Sequence, residues 1–290
     1  MAYVRCMSAL QELLELLQLE RLEQNLFRGQ SRDPGWGTVY GGQVLGQALS
    51  AAAQTVPTER IAHSLHGYFL RSGDVNAPII YDVDCIRDGK SFTTRRVVAI
   101  QHGKAIFNMA ASFQIVEEGY EHQLEMPSAP GPDGLKSERE LATLIADKIP
   151  EPLRKRFTAE RPIEVRPVEP NNPLAPKKRP PRRQVWCRAA EALPEDQWVH
   201  QCVLAYASDS YFLGAAMAVH GVSPFQRNLQ AASLDHSMWF HRPIKLEDWL
   251  LYDIDSPSTQ GARGLVRGQF FDEKGTLVAS TAQEGLMRPR

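Results

Sequence analysis

Cysteine is scarce in this chain, and none of it stands in a metal-binding or redox spacing. The 290 residues include four cysteines, Cys6, Cys85, Cys187 and Cys202, with no CxxC pair among them. That excludes a disulfide-stapled fold and a thiolate zinc site, and it makes free thiols in a reducing compartment the default. The eight histidines are scattered and supply no metal-ligand cluster, so neither a metal nor a bound cofactor is expected. Excess charge is also missing. A formal net charge of −1 leaves no electrostatic footprint for nucleic acid, although the basic run Lys177 to Arg183 could meet a small anion. No apolar run reaches transmembrane length, so no membrane insertion is expected. The first residues lack an apolar core with a small-residue cleavage site, and the chain closes on Met-Arg-Pro-Arg where a peroxisomal address would read Ser-Lys-Leu. The expected location is therefore the cytoplasm. No GxGxxG follows a strand, no Walker loop occurs, and no serine sits in a GxSxG elbow.

What the chain does have is a long motif with an echo. Ala232 to Pro243 reads ASLDHSMWFHRP, and Ser64 to Arg71 can be laid over Asp235 to Arg242. Tyr68 then falls on Trp239, Phe69 on Phe240 and Arg71 on Arg242, at an offset of 171 residues. The same offset sets Tyr81-Asp-Val-Asp84 over Tyr252-Asp-Ile-Asp255, and Gly103 to Ile106 matches Gly275 to Val278 after a slip of one. Three ordered matches at a nearly constant offset read as an internal duplication.

The predicted elements repeat in the same way. Ser8 to Leu22 has leucines near helical period, with Ser8 as cap and Glu12 in the first turn. Gly41 to Ala53 predicts a helix opened by two glycines, small enough all round to be buried. Four segments rich in β-branched and aromatic residues follow, at 63–70, 79–86, 91–101 and 105–114, joined by Gly-containing turns. After residue 183 comes a short strand (184–188), a helix (196–214) and four strands (233–240, 249–255, 262–271 and 276–284). One helix followed by a meander predicts an α+β fold, in which each module curls a curved antiparallel sheet over a single central helix. The expected modules are residues 1–115 and 183–290. Between them, 116–182 is a connector holding twelve of the twenty prolines and one helix, Ser137 to Lys148.

Three residues stand out for chemistry. Asp209 lies late in the second helix among apolar neighbours, where hydrogen bonds would hold the anion ready to take a proton from water; it reads otherwise as a solvated helical carboxylate. Ser233 opens the central motif as a nucleophile, a water ligand or a strand-edge hydroxyl. Gln283, near the end of the last strand, needs a polar partner if it points inward. Asp235 and His236 are adjacent on a strand and should face opposite ways, as should Ser233 and His236. Tyr68, Phe69, Trp239 and Phe240 read as sheet core.

The segments Phe27-Arg-Gly-Gln30, Tyr40-Gly-Gly-Gln43, His63-Ser64 with Tyr68 to Arg71, Tyr206-Ala-Ser-Asp209, Leu234 to Pro243 and Gln283-Glu-Gly285 resemble the acyl-CoA thioesterase II family, its bacterial branch above all. The resemblance runs from the leucine-rich first helix to the C-terminus. It implies a double hot-dog fold and hydrolysis of fatty acyl-CoA to fatty acid and CoA, without metal or cofactor. It also implies that Asp209, Ser233 and Gln283 hold and activate the hydrolytic water; the resembling bacterial enzyme has Thr at the position of Ser233. Gly42, Gln43, His63, Arg71, Arg96 and Arg242 are the candidate contacts to acyl-CoA, and a homo-oligomer, dimer or tetramer, is the expected assembly. Two other functions compete: an acyl-CoA hydratase or dehydratase, and a non-catalytic acyl-CoA binding protein. The second draws on the first module, which has Gly46 to Ser50 where the other has Tyr206 to Asp209 and so lacks a matching carboxylate.

Overall fold

The computed structural model describes residues 7–226 and 228–290; Cys6 lies outside them. Ser8 caps α1 (Ala9–Leu17) through a reciprocal capping box with Gln11, and Leu10, Leu13 and Leu17 are its buried stripe. The helix stops five residues before the periodicity predicts, because Glu20 to Glu23 pairs as a strand instead. That strand, β1 (Glu20–Glu23), leads to β2 (Leu26–Gly29) and to α2 (Gly41–Ala53), which is buried from Gly42 to Ala52 as its small side chains require. The meander follows as β3 (Arg60–Phe69), β4 (Ile79–Asp88), β5 (Phe92–Gln101) and β6 (Lys104–Ile115).

The proline-rich middle is more structured than its composition predicts. It holds α3 (Glu138–Leu144), capped by Ser137 with Glu140, a 3-10 turn at Ala146–Lys148, α4 (Glu151–Thr158) and β7 (Ile163–Pro167). The remaining elements are β8 (Arg182–Ala189), α5 (Gln197–Ser208), α6 (Gly214–His220), β9 (Leu229–Ser233), β10 (Asp235–Phe240), β11 (Leu250–Gln260), β12 (Arg263–Asp272) and β13 (Leu277–Pro289). The single helix expected over 196–214 is thus two, broken where Tyr211 takes a left-handed φ of 69°.

The expectation of two sheets, each curled over its own helix, is overturned. The strands form one open thirteen-stranded sheet in the order β1-β2-β4-β5-β6-β3-β10-β13-β12-β11-β8-β7, with β9 also on β13. Every pairing is antiparallel among the described residues, and the sheet is not closed, since β1 and β7 end it without meeting. The architecture is a hot-dog-like α+β fold in which the two halves share a sheet and a core. β3 pairs directly with β10, and the buried apolar residues of α2 and α5 belong to one cluster. The physical reason is edge satisfaction. Separate modules would leave β3 and β10 with unpaired backbone groups, and joining them removes both edges.

The junction bears the mark of the duplication. Reading outward from it, β3, β6, β5, β4 and β2 mirror β10, β13, β12, β11 and β8. His66 pairs with Ser237, the position that the repeat equates with it, and the two side chains meet at 3.1 Å.

Under the sheet, α2 and α5 cross closely. A Cβ added to Gly42 would come within 2.2 Å of the Tyr206 carbonyl oxygen and 2.4 Å of the Tyr40 ring. Neither neighbour is a flexible side-chain tip. Gly42→Ala is expected to cost stability at the upper end of the ~1–3 kcal/mol typical of overpacking. That corresponds to a melting temperature lower by roughly 5–10 °C. Differential scanning calorimetry checks this, and an unchanged melting temperature would refute the close packing. Cys187 and Cys202 lie in the same core; burial pushes the Cys187 thiol up to about 12, and Cys202 higher still.

Candidate active site

Asp209 sits at the C-cap of α5, just past the helix in which the sequence places it. The chain turns there because Tyr211 adopts the left-handed conformation, and the turn is pinned from outside. The Tyr211 hydroxyl donates to the Glu138 carboxylate of α3 at 2.5 Å. Arg183 donates to the other oxygen of that carboxylate at 3.1 Å and lies over the Tyr211 ring. The middle segment therefore anchors the loop that carries the carboxylate. Burial raises the Tyr211 phenol well above its ordinary value, so it stays a hydrogen-bond donor.

On the other side, the Asp209 carboxylate reaches the first half of the chain. A Cβ on Gly41 would stand 2.7 Å from Asp209 Oδ2, so only glycine lets the carboxylate approach the start of α2 this closely. Tyr40, preceding that helix, bonds to the Ser210 hydroxyl at 2.7 Å and donates to the Tyr206 carbonyl at 3.0 Å. No side chain of the described residues caps α2. In its first turn the Gln43 N–H bonds back to the Tyr40 carbonyl at 3.0 Å, which leaves the N–H groups of Gly41 and Gly42 without a carbonyl in the helix, next to Asp209.

Ser233 and Gln283 come to Asp209 from the sheet. Ser233, the last residue of β9, donates its hydroxyl hydrogen to Asp209 Oδ1 at 3.2 Å. Gln283 of β13, 2% exposed, donates from Nε2 to the Ser233 oxygen at 2.7 Å. The inward-pointing glutamine thus has its polar partner. The structure brings all three predicted residues into one hydrogen-bonded row.

A fourth residue joins them that the sequence reading set aside. His236 is fully buried, with Nδ1 2.6 Å from Gln283 Oε1 and Nε2 2.9 Å from the Ser208 hydroxyl. Ser233 and His236 are three residues apart and should face opposite ways on a regular strand. The strand is not regular. Ser233 pairs with Gly285, while Ser237 pairs with Ala282, so β13 advances by one residue fewer between those points. One extra residue is inserted at Leu234–Asp235, a bulge that turns both side chains to the same face. The Asp235 carboxylate holds the bulge by accepting the Glu284 N–H at 2.6 Å. The expectation that His236 points away from Ser233 is thereby corrected. The usable signal was Asp235 itself, a poor strand former in mid-motif.

The candidate substrate contacts have partners within the protein. Gln43 is buried and donates to the Gln30 carbonyl at 3.0 Å. His63 meets the Ser112 hydroxyl at 2.8 Å, Arg71 donates to the Ala105 carbonyl at 2.6 Å, Arg96 pairs with Asp84 at 2.8 Å, and Arg242 donates to the Leu277 carbonyl at 2.9 Å. Gly42 serves the helix crossing described above. A cavity of about 670 Å³, lined by Gln43 among others, runs from a rim holding Arg32, Trp36 and Arg156 inward to Tyr206, Tyr252 and Phe270. Ala207 and Ser210, on either side of Asp209, also line it.

Comparison with known proteins agrees with this architecture. Residues 152–286 match the family model described as acyl-CoA thioesterase, and residues 32–114 match the acyl-CoA thioesterase N-terminal domain. The chain is 44% identical over 279 residues to acyl-CoA thioesterase 2 of Haemophilus influenzae, covering 96% of this chain and 98% of that one. It is 42% identical to human acyl-coenzyme A thioesterase 8, over 94% of this chain and 88% of the relative. Among solved structures, the acyl-CoA thioesterase II TesB2 of Mycobacterium marinum superposes with a TM-score of 0.78 at 41% identity, covering 96% of this chain and 98% of that one. The fold and these matches define an enzyme of the thioester-hydrolase class. The chain belongs to the acyl-CoA thioesterase II family, whose reaction is hydrolysis of acyl-CoA thioesters.

Proposed function

We propose that the chain hydrolyses fatty acyl-CoA by direct attack of a water held by Asp209, Ser233 and Gln283. The observation that carries this is the directed row Gln283 to Ser233 to Asp209, ending where the glycine-opened helix α2 begins. Ser233 spends its hydrogen on Asp209 Oδ1, which leaves Oδ2 to accept a proton from water. The second N–H of the Gln283 amide is free to fix the water's oxygen. As that oxygen bonds to the thioester carbon, the water proton passes to Asp209, and the carbonyl electrons move onto oxygen. The first-turn N–H groups of α2 would stabilise that oxyanion. Collapse re-forms the carbonyl and expels the CoA thiolate, which takes the proton from Asp209, leaving free acid and thiol. The cavity beside Asp209 is of a size that suits an acyl chain, and the basic residues at its rim suit CoA phosphates. A thiol-trapping assay over a series of acyl-CoA chain lengths tests the reading. Release of one CoA per acyl group consumed is expected; tight binding without CoA release would leave a binding protein.

Among the described residues no helix is long and apolar enough to cross a membrane. A cytoplasmic location remains our reading, as does a homo-oligomer. The outer face of the β3–β10 junction exposes Tyr68 (59%), opposite Asp235, and Trp239 (37%), opposite Ser64, two aromatic rings on one face suited to burial by a second copy. Sedimentation velocity at micromolar concentration is expected to show a dimer or tetramer; a single 32.5 kDa species would count against it.

A further inference from the structure

We infer that His236 is a positioning residue, whose neutral Nδ1–H form fixes the amide of Gln283 so that its N–H, and not its oxygen, faces Ser233. The inference rests on the water-attack reading above and adds a fourth member to that site.

A glutamine amide presents similar shapes in its two flipped orientations, and only its hydrogen bonds choose between them. In the orientation observed, Oε1 faces His236 Nδ1 at 2.6 Å and Nε2 faces the Ser233 oxygen at 2.7 Å. An amide oxygen can only accept, so Nδ1 must carry a hydrogen. Ser233 then receives a hydrogen from Gln283 and has its own hydrogen left for Asp209. In the flipped amide, Oε1 would compete with Asp209 for that hydrogen, and the nitrogen would confront Nδ1. The row would lose its direction and the water its donor.

The surroundings hold the imidazole in the required form. Burial lowers the pKa of His236, outweighing the opposing pull of Asp209, Gln283 and Asp235, so the ring is neutral. A neutral ring with hydrogen on Nδ1 leaves Nε2 an acceptor; the Ser208 hydroxyl stands there at 2.9 Å, and in this tautomer it turns its one hydrogen to Nε2 in place of the Ala205 carbonyl, which is also 2.9 Å away. The Phe212 ring packs 5.5 Å from the imidazole centroid. Ser208 immediately precedes Asp209, so one turn of chain supplies both the carboxylate and the hydroxyl that meets Nε2.

The test pairs two variants that differ in which ring nitrogen they imitate. His236→Asn places an amide donor near Nδ1, and His236→Gln places one near Nε2. The expected result is kcat within about threefold of wild type for His236→Asn. For His236→Gln a loss of up to roughly a hundredfold is expected, as misplacement of a reacting group gives, with KM unchanged. In a Gln283→Ala background, His236→Gln should lower kcat no further. Equal losses in the two variants, or the same loss with and without Gln283, would overturn the inference. Nitrogen-15 NMR of the unaltered protein supplies a check that needs neither activity nor a mutant fold. It should show hydrogen on Nδ1 and none on Nε2; the opposite tautomer or a charged ring at neutral pH would overturn the assignment. If Gln283→Ala retained wild-type turnover, the water-attack reading itself would fail, an outcome distinct from a wrong tautomer.

Discussion

Asp209→Asn is expected to lower kcat by about 10²–10⁴, the range that loss of a general base produces, while acyl-CoA still binds. The substitution keeps shape and volume. Its amide oxygen can still accept from Ser233, so the hydrogen-bonded row is not dismantled. What it cannot do is take a proton from water, because the group in the place of Oδ2 is a nitrogen that already carries two hydrogens. The loss should therefore appear in kcat, with little change in the affinity for a non-hydrolysable acyl-CoA analogue measured by calorimetry. Turnover like that of the wild type would remove Asp209 from the mechanism. Loss of binding in step with turnover would make it a structural residue.

Ser233→Ala should lower kcat roughly a hundredfold and leave measurable activity. Here the general base remains, and what goes is the link that joins it to Gln283. Without the hydroxyl, Asp209 Oδ1 loses a donor and the Gln283 N–H loses an acceptor, so the water is held less well; the effect is one of positioning. Ser233→Thr provides the control. It keeps the hydroxyl and limits its rotation, so activity at or above that of the wild type is expected. Stopped-flow assays of both variants against one substrate give the comparison. An inactive Ser233→Ala together with an inactive Ser233→Thr would argue that the site tolerates no change of shape, and would leave the water-positioning role without support.

The parts of the fold legible in the sequence were those with a strong local period. α2 runs from Gly41 to Ala53 as read, because its small and apolar residues lie all round it and favour burial. The duplication was legible because repeats need no structure to be seen, and it reappears as the mirrored strand order about His66 and Ser237. Nothing in a strand's own residues tells which neighbour it will pair with, however, and so the shared sheet was missed. β7 was missed because it follows Pro162 and ends on Pro167, and only pairing with β8 makes it a strand.

At the site, Asp209, Ser233 and Gln283 could be singled out by type and context, and by resemblance. His236 could not, because the alternation rule that excluded it fails at a bulge, and a bulge is a property of two strands. The partners of the candidate arginines were illegible for a related reason. A basic side chain in sequence does not reveal whether a nearby carboxylate has claimed it, as Asp84 claims Arg96.

The central claim is that water attacks the thioester directly and that no residue carries the acyl group. Rapid-quench intact-protein mass spectrometry during turnover of a slow acyl-CoA substrate tests it. The account predicts that the protein mass stays that of the free chain at every time point while acid and CoA appear together. A stoichiometric acyl adduct on Ser233, formed and lost at the rate of turnover, would contradict it and make the chain a serine hydrolase.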